Sequence, residues 1–152
     1  MSSTFYKKKT VLERKHGTMQ ESIVFPAGSR EDFMGVHRQP HSLYEDHAVR
    51  LAGISTLPAG YSVQRRHAED HLLLFALAPG LQVEGPRTAS LKLGDLLIAP
   101  KGSTYRYRTT SPCKILWFHL MSDPHWNHLL QHAVRIRKAL YTEEIKMLAL
   151  IS

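Results

Sequence analysis

The chain has one cysteine, Cys113, in 152 residues. No intrachain disulfide can form, so the disulfide-stapled small folds are excluded and a reducing cytoplasm is the expected location. Long apolar runs are also missing. None approaches the ~18 residues that a membrane-spanning helix needs. Met1 to Thr10 is polar and lysine-rich without an apolar h-region, so it is not expected to act as a secretory signal. Acidic residues are the minority, 13 Asp and Glu against 20 Lys and Arg, for a formal charge of +7. That balance suits a polyanionic neighbour such as DNA and suits plain solubility equally well. There is no glycine-rich phosphate loop and no Ser–His–Asp order. A lone cysteine on a strand reads as core and not as a nucleophile.

Short strands dominate what is present. Val49–Leu57 alternates, Pro58-Ala59-Gly60 turns it, and Tyr61–Arg66 returns. Leu72–Leu77 is continuously apolar, which predicts a strand buried on both faces. Leu81–Glu84 and Ser90–Leu93 flank Gly85-Pro86 as a hairpin, and Cys113–Leu120 is the last clear strand. Seven or eight such strands with no helical pattern between them predict a barrel or a sandwich. In front of them, residues 1–47 read as a basic arm and a turn-rich lead-in holding at most one short strand near Ile23-Val24-Phe25. Behind them, residues 122–152 read as two helices. Asp123-Pro124 is a helix start, and Trp126, Leu129, Leu130, Ala133 and Val134 give a stripe to about Leu140. Thr142 caps a second helix containing Ile145, Leu148 and Ile151.

The most informative stretch runs from Lys92 to Tyr107. Gly94-Asp95 opens the apolar run Leu96–Ala99, Pro100-Lys101-Gly102 stops it, and Thr104–Thr110 reads as the returning strand of a hairpin. Gly94, five residues, Pro100, one residue, Gly102, two residues and Tyr105 resembles the second signature motif of the cupin barrels, with Tyr105 at the usual metal-ligand histidine. Gly60 to Gly80 resembles the first motif, with Arg66 and Ala68 at its two histidine positions. The resemblance therefore implies a barrel without a metal or other cofactor. Arg66, the strand Leu72–Gly80, the Gly94–Gly102 stretch and Leu116-Trp117-Phe118-His119-Leu120, in that order, are similar to the sensor domain of AraC-type transcription regulators.

The combined expectation is a mainly β chain: a cupin-like antiparallel jelly-roll barrel over residues 48–121, followed by two C-terminal helices. Alternation puts Ile115, Trp117 and His119 on one strand face, and Tyr105 and Tyr107 on one face of another. If these faces point inward, the barrel mouth holds Trp117, His119, Tyr105 and Tyr107. Arg66 stands at the head of the adjoining strand (Arg65 if the register slips). Such a set suits stacking on a sugar or holding an organic acid. The alternative is that the aromatics only fill the barrel. The resemblance implies a small-molecule effector, a homodimer through the C-terminal helices, and DNA contact only through a separate helix-turn-helix domain that these residues do not include. No enzymatic role is expected on this reading. The competing expectation is a small stand-alone cupin enzyme, isomerase or dioxygenase-like, with Tyr105 and His119 as an acid/base pair. The histidine pair His128 and His132 reads as a solvated helix face, not a zinc clip.

Overall fold

Apolar residues at every second position give strands with one dry and one wet face. The computed structural model describes residues 2–35, 49–85, 88–130 and 133–138. In chain order the elements are β1 (Ser2–Phe5), β2 (Thr10–His16), β3 (Met19–Phe25), β4 (Arg30–Gly35), β5 (Val49–Leu57), β6 (Ser62–Arg66), β7 (His71–Ala76), β8 (Leu81–Glu84), β9 (Ala89–Leu91), β10 (Leu96–Ala99), β11 (Tyr105–Thr109), β12 (Cys113–Leu120), α1 (Pro124–Leu130) and β13 (Arg135–Arg137). They form a seven-stranded sheet, β1-β4-β5-β12-β7-β10-β13, and a six-stranded sheet, β2-β3-β6-β11-β8-β9. Val63 and Tyr107 of the six-stranded sheet share one buried cluster with Leu74, Leu97 and Ile115 of the seven-stranded sheet, so the core lies between the two layers.

The expected hairpins divide into two kinds. β8 and β9 do pair, with Leu81 opposite Leu91 and Val83 opposite Ala89. β10 and β11 do not. β10 pairs β7 and β13, while β11 pairs β6 and β8. Pro100-Lys101-Gly102 therefore carries the chain from one sheet to the other, as Pro58-Ala59-Gly60 does between β5 and β6. The chain winds between layers in the jelly-roll manner. Gly102 permits the reversal with φ +84 and donates its N–H to Ala68 O at 2.7 Å. The run Leu72–Leu77, expected to be buried on both faces, is fully buried on one: Leu73 and Phe75 on the other are only partly covered. Leu72 and Leu74 face the core, and Leu73 packs outside against Ile98, Leu120 and Leu130 of α1.

Two expectations change. Residues 2–35 are not a loose arm: they supply β1 to β4, which extend both sheets at one end. The alternation was there in Met19-x-Glu21-x-Ile23-x-Phe25, but an inward glutamate breaks its apolar reading. The first of the two expected C-terminal helices is corrected. α1 starts at Asp123-Pro124 as expected but ends at Leu130 after seven residues. The chain then re-enters the sheet as β13, with Leu97 opposite Ile136. Val134, Arg135, Ile136 and Arg137 alternate, so Val134 and Ile136 pack on the core while the strand caps the backbone edge of β10. The second expected helix, from Thr142, lies outside the described residues, as does His132.

Candidate ligand-binding site

A row of polar side chains crosses the inner face of the six-stranded sheet. Register sets Arg14 opposite Glu21, Glu21 opposite Arg65, and Arg65 opposite Tyr105. Glu21 and Arg65 are buried, 9% and 7% exposed. Arg65 Nε donates to Glu21 Oε2, and Arg65 Nη1 donates to Tyr105 Oη at 3.0 Å. Arg14 meets the other Glu21 oxygen at 3.4 Å from the more exposed side. A guanidinium survives burial only with partners of this kind.

The facing wall comes from β4, β5 and β12. Glu31 lies opposite Ser55, and in the next row Trp117 lies opposite Gly53. Because Gly53 has no side chain, the Trp117 indole lies across β5. Trp117 Nε1 donates to Ser55 Oγ at 2.8 Å, and Ser55 Oγ donates to Glu31 Oε1 at 3.0 Å. This chain of bonds sets the plane of the indole. Burial pushes the Glu31 carboxyl above its ordinary pKa, against the opposing effects of Ser55, Arg65 and Arg14.

A third group edges the opening. His119 Nδ1 lies 2.9 Å from Asp70 Oδ1. Arg50 Nη1 donates to Glu69 Oε1 at 2.6 Å and to Asp70 Oδ2 at 3.3 Å, and Glu69 Oε2 reaches His16 Nδ1 at 2.8 Å. The turn carrying these carboxylates is pinned by Ala68 N–H on Ser103 O, with His67 at φ 53. Burial alone would raise the Asp70 carboxyl, but the bond and charge of His119, with Arg65 and Arg50, outweigh it and hold the pKa below 3.8. A lowered folded value stabilises the fold fully above the unfolded value and is lost as pH falls through the folded one. Asp70→Asn should therefore lower the melting temperature at neutral pH and narrow the gap from wild type under acid. A difference that stays constant across acid melting curves would refute this.

These walls line a half-open cavity of about 380 Å³, within the range of roughly 300–1,000 Å³ usual for small-ligand sites. Of the residues expected from sequence, Trp117, His119 and Tyr107 line it. Tyr105 is buried one row away, stacked 6.3 Å from Tyr107 and bonded to Arg65. Arg66 is not brought in: it is exposed and borders a shallow outer depression with Lys15, Gln20 and Gln64. The inward arginine is Arg65. The expected acid/base pair is not assembled either, since Tyr105 is engaged by Arg65 and His119 by Asp70. Glu21, Glu31 and Ser55 were missed, and only the alternation of β3 hinted at the first. Among the described residues, no group of three or more His, Cys, Asp or Glu side chains is arranged to hold a metal ion.

Comparison with family models and with curated proteins returns no match. Solved structures with a similar chain path include a cupin superfamily protein from Desulfitobacterium hafniense (15% identity, TM-score 0.47, 60% of this chain and 78% of that one). The EutQ protein of Clostridium difficile is similar over 69% of this chain and 71% of its own, at 14% identity and TM-score 0.46. The polyketide cyclase RemF from Streptomyces resistomycificus is similar over 78% of this chain and 75% of its own, at 12% identity and TM-score 0.47.

Proposed function

We propose that this chain is a small-molecule sensor domain of the AraC-type kind, which holds a small polar effector between its two sheets. The observation that carries the reading is the cavity itself: about 380 Å³, walled by aromatic and polar side chains, with the Trp117 indole oriented through Ser55. A domain that only needed a core would fill that space with aliphatic side chains. The N-terminal strands β1 to β4 form part of the wall, so an effector touching Glu31 or Arg14 also touches the segment whose packing it would shift. The AraC-type assignment rests on the ordered resemblance from Arg66 to Leu120. It assigns DNA contact to a domain outside these residues and pairing of two copies to residues 122–152.

Thermal melting against a panel of sugars, sugar acids, aromatic acids and amines tests the reading, because a ligand that binds only the folded state raises the melting temperature. At least one compound should stabilise the wild type and fail on Trp117→Ala. No response to any class would sink the sensor reading, and a monomer by light scattering at high micromolar concentration would remove the pairing. A second reading, a small enzyme, is favoured by one feature, the His119–Asp70 pair on the cavity wall. Chemical conversion of a bound compound during incubation, followed by mass spectrometry, would favour it over the sensor.

A further inference from the structure

Around the cavity lie three arginines (Arg14, Arg50, Arg65), His119 and four carboxylates (Glu21, Glu31, Glu69, Asp70). Each arginine already has a carboxylate: Arg14 and Arg65 meet Glu21, and Arg50 meets Glu69 and Asp70. Glu31 accepts its hydrogen bond from the hydroxyl of Ser55 and feels Arg65 and Arg14 through space. Its charge is felt by the phenols of Tyr6, Tyr61 and Tyr107.

Those phenols belong to a continuous aromatic wall. Tyr6 stacks on Phe25 with centroids 4.0 Å apart, Phe25 lies 5.4 Å from Tyr61, and Tyr61 lies 6.3 Å from Tyr107. Phe33 and Trp117 line the same cavity from the other sheet. A carboxylate bordered by aromatic rings in a partly desolvated space is the setting in which a cation gains from ring faces and a counter-charge together.

We propose that the effector of this cavity is an organic cation, an amine or quaternary ammonium compound, seated between the aromatic wall and Trp117 with its charge on Glu31. This rests on the sensor reading and narrows its ligand class. An anionic ligand is disfavoured, because it would have to displace a resident carboxylate from an arginine while approaching Glu31. Burial already makes ionised Glu31 costly, and an arriving cation relieves that cost.

The test is titration calorimetry and melting of the full chain with tetramethylammonium, choline and putrescine, beside benzoate and arabinose. At least one cation should bind wild type, and Glu31→Gln should weaken that binding about tenfold or more. Glu31→Gln should melt no lower than wild type at neutral pH, since it removes a buried charge. The uncharged carbon isostere of choline needs no protein variant and should bind about tenfold weaker than choline itself. A cation that binds Glu31→Gln as well as wild type, or an isostere equal to choline, overturns the assignment. If arabinose or benzoate binds and no cation does, the cation assignment fails and the sensor reading stands. If nothing binds, both fail.

Discussion

Replacing Glu21 by glutamine is expected to cost about 3–5 kcal/mol of folding stability, because it leaves the Arg65 guanidinium buried without its counter-charge. Both groups are nearly sealed from solvent and directly bonded, so water cannot screen the loss. Tyr105 Oη remains as a hydrogen-bond partner for Arg65, but a neutral phenol cannot balance a charge. For a domain of this size the melting temperature should drop by about 10 °C. The double variant Glu21→Met with Arg65→Met should recover much of the difference, since an apolar pair of similar volume leaves no charge stranded. Arg14→Ala should change stability by about 1 kcal/mol or less, because that arginine is mostly exposed. A Glu21→Gln protein that melts like wild type would mean that solvent reaches Arg65. The polar row would then be a surface feature and not part of the cavity wall.

Gly53→Ala is expected to destabilise the fold by about 2–3 kcal/mol, although alanine is the smallest possible addition. A Cβ at this position would sit 2.5 Å from Trp117 Cζ2, 2.8 Å from Asp32 O and 2.9 Å from Phe33 Cβ. The Asp32 carbonyl belongs to the paired β4 strand and cannot retreat without loosening the ladder of Asp32 with Ile54 and Phe33 with Gly53. The indole can retreat only by giving up Ser55. The variant should therefore lose both stability and the set orientation of Trp117, seen as lower melting and altered near-ultraviolet circular dichroism. Combining it with Trp117→Ala should cost less than the sum of the two single changes, because the indole clash is counted in both. Strict additivity would show that Gly53 is not what makes room for Trp117.

Much of the architecture was legible because strand alternation is local. The facing of Tyr105 with Tyr107, and of Trp117 with His119, followed from a period of two within single strands. The breaks at Pro58-Ala59-Gly60 and Pro100-Lys101-Gly102 were visible as turns. Their role in carrying the chain between sheets was not, since a turn signal does not say which strand comes next to which. The C-terminal error has a similar origin. Trp126 to Val134 carries a helical spacing, but Val134 to Arg137 also alternates, and the open edge of β10 is what selects the strand.

The candidate site was half legible. Aromatic residues announce themselves, and Tyr107, Trp117 and His119 were placed together from sequence. Glu21, Glu31 and Arg65 look like surface charges in sequence, since nothing local distinguishes a solvated carboxylate from one facing a cavity. Arg65 and Arg66 are neighbours of the same chemistry, and a shift of one residue exchanges inside for outside. By itself, then, the sequence determined a β chain with its turns, the start of α1 at Asp123-Pro124 and the parity of its aromatic strands. The tertiary structure decided which arginine is buried, which glutamate it meets and where Trp117 points. Arg65 and Glu21 lie 44 residues apart in the chain, and only the folded sheets bring such charges within bonding distance.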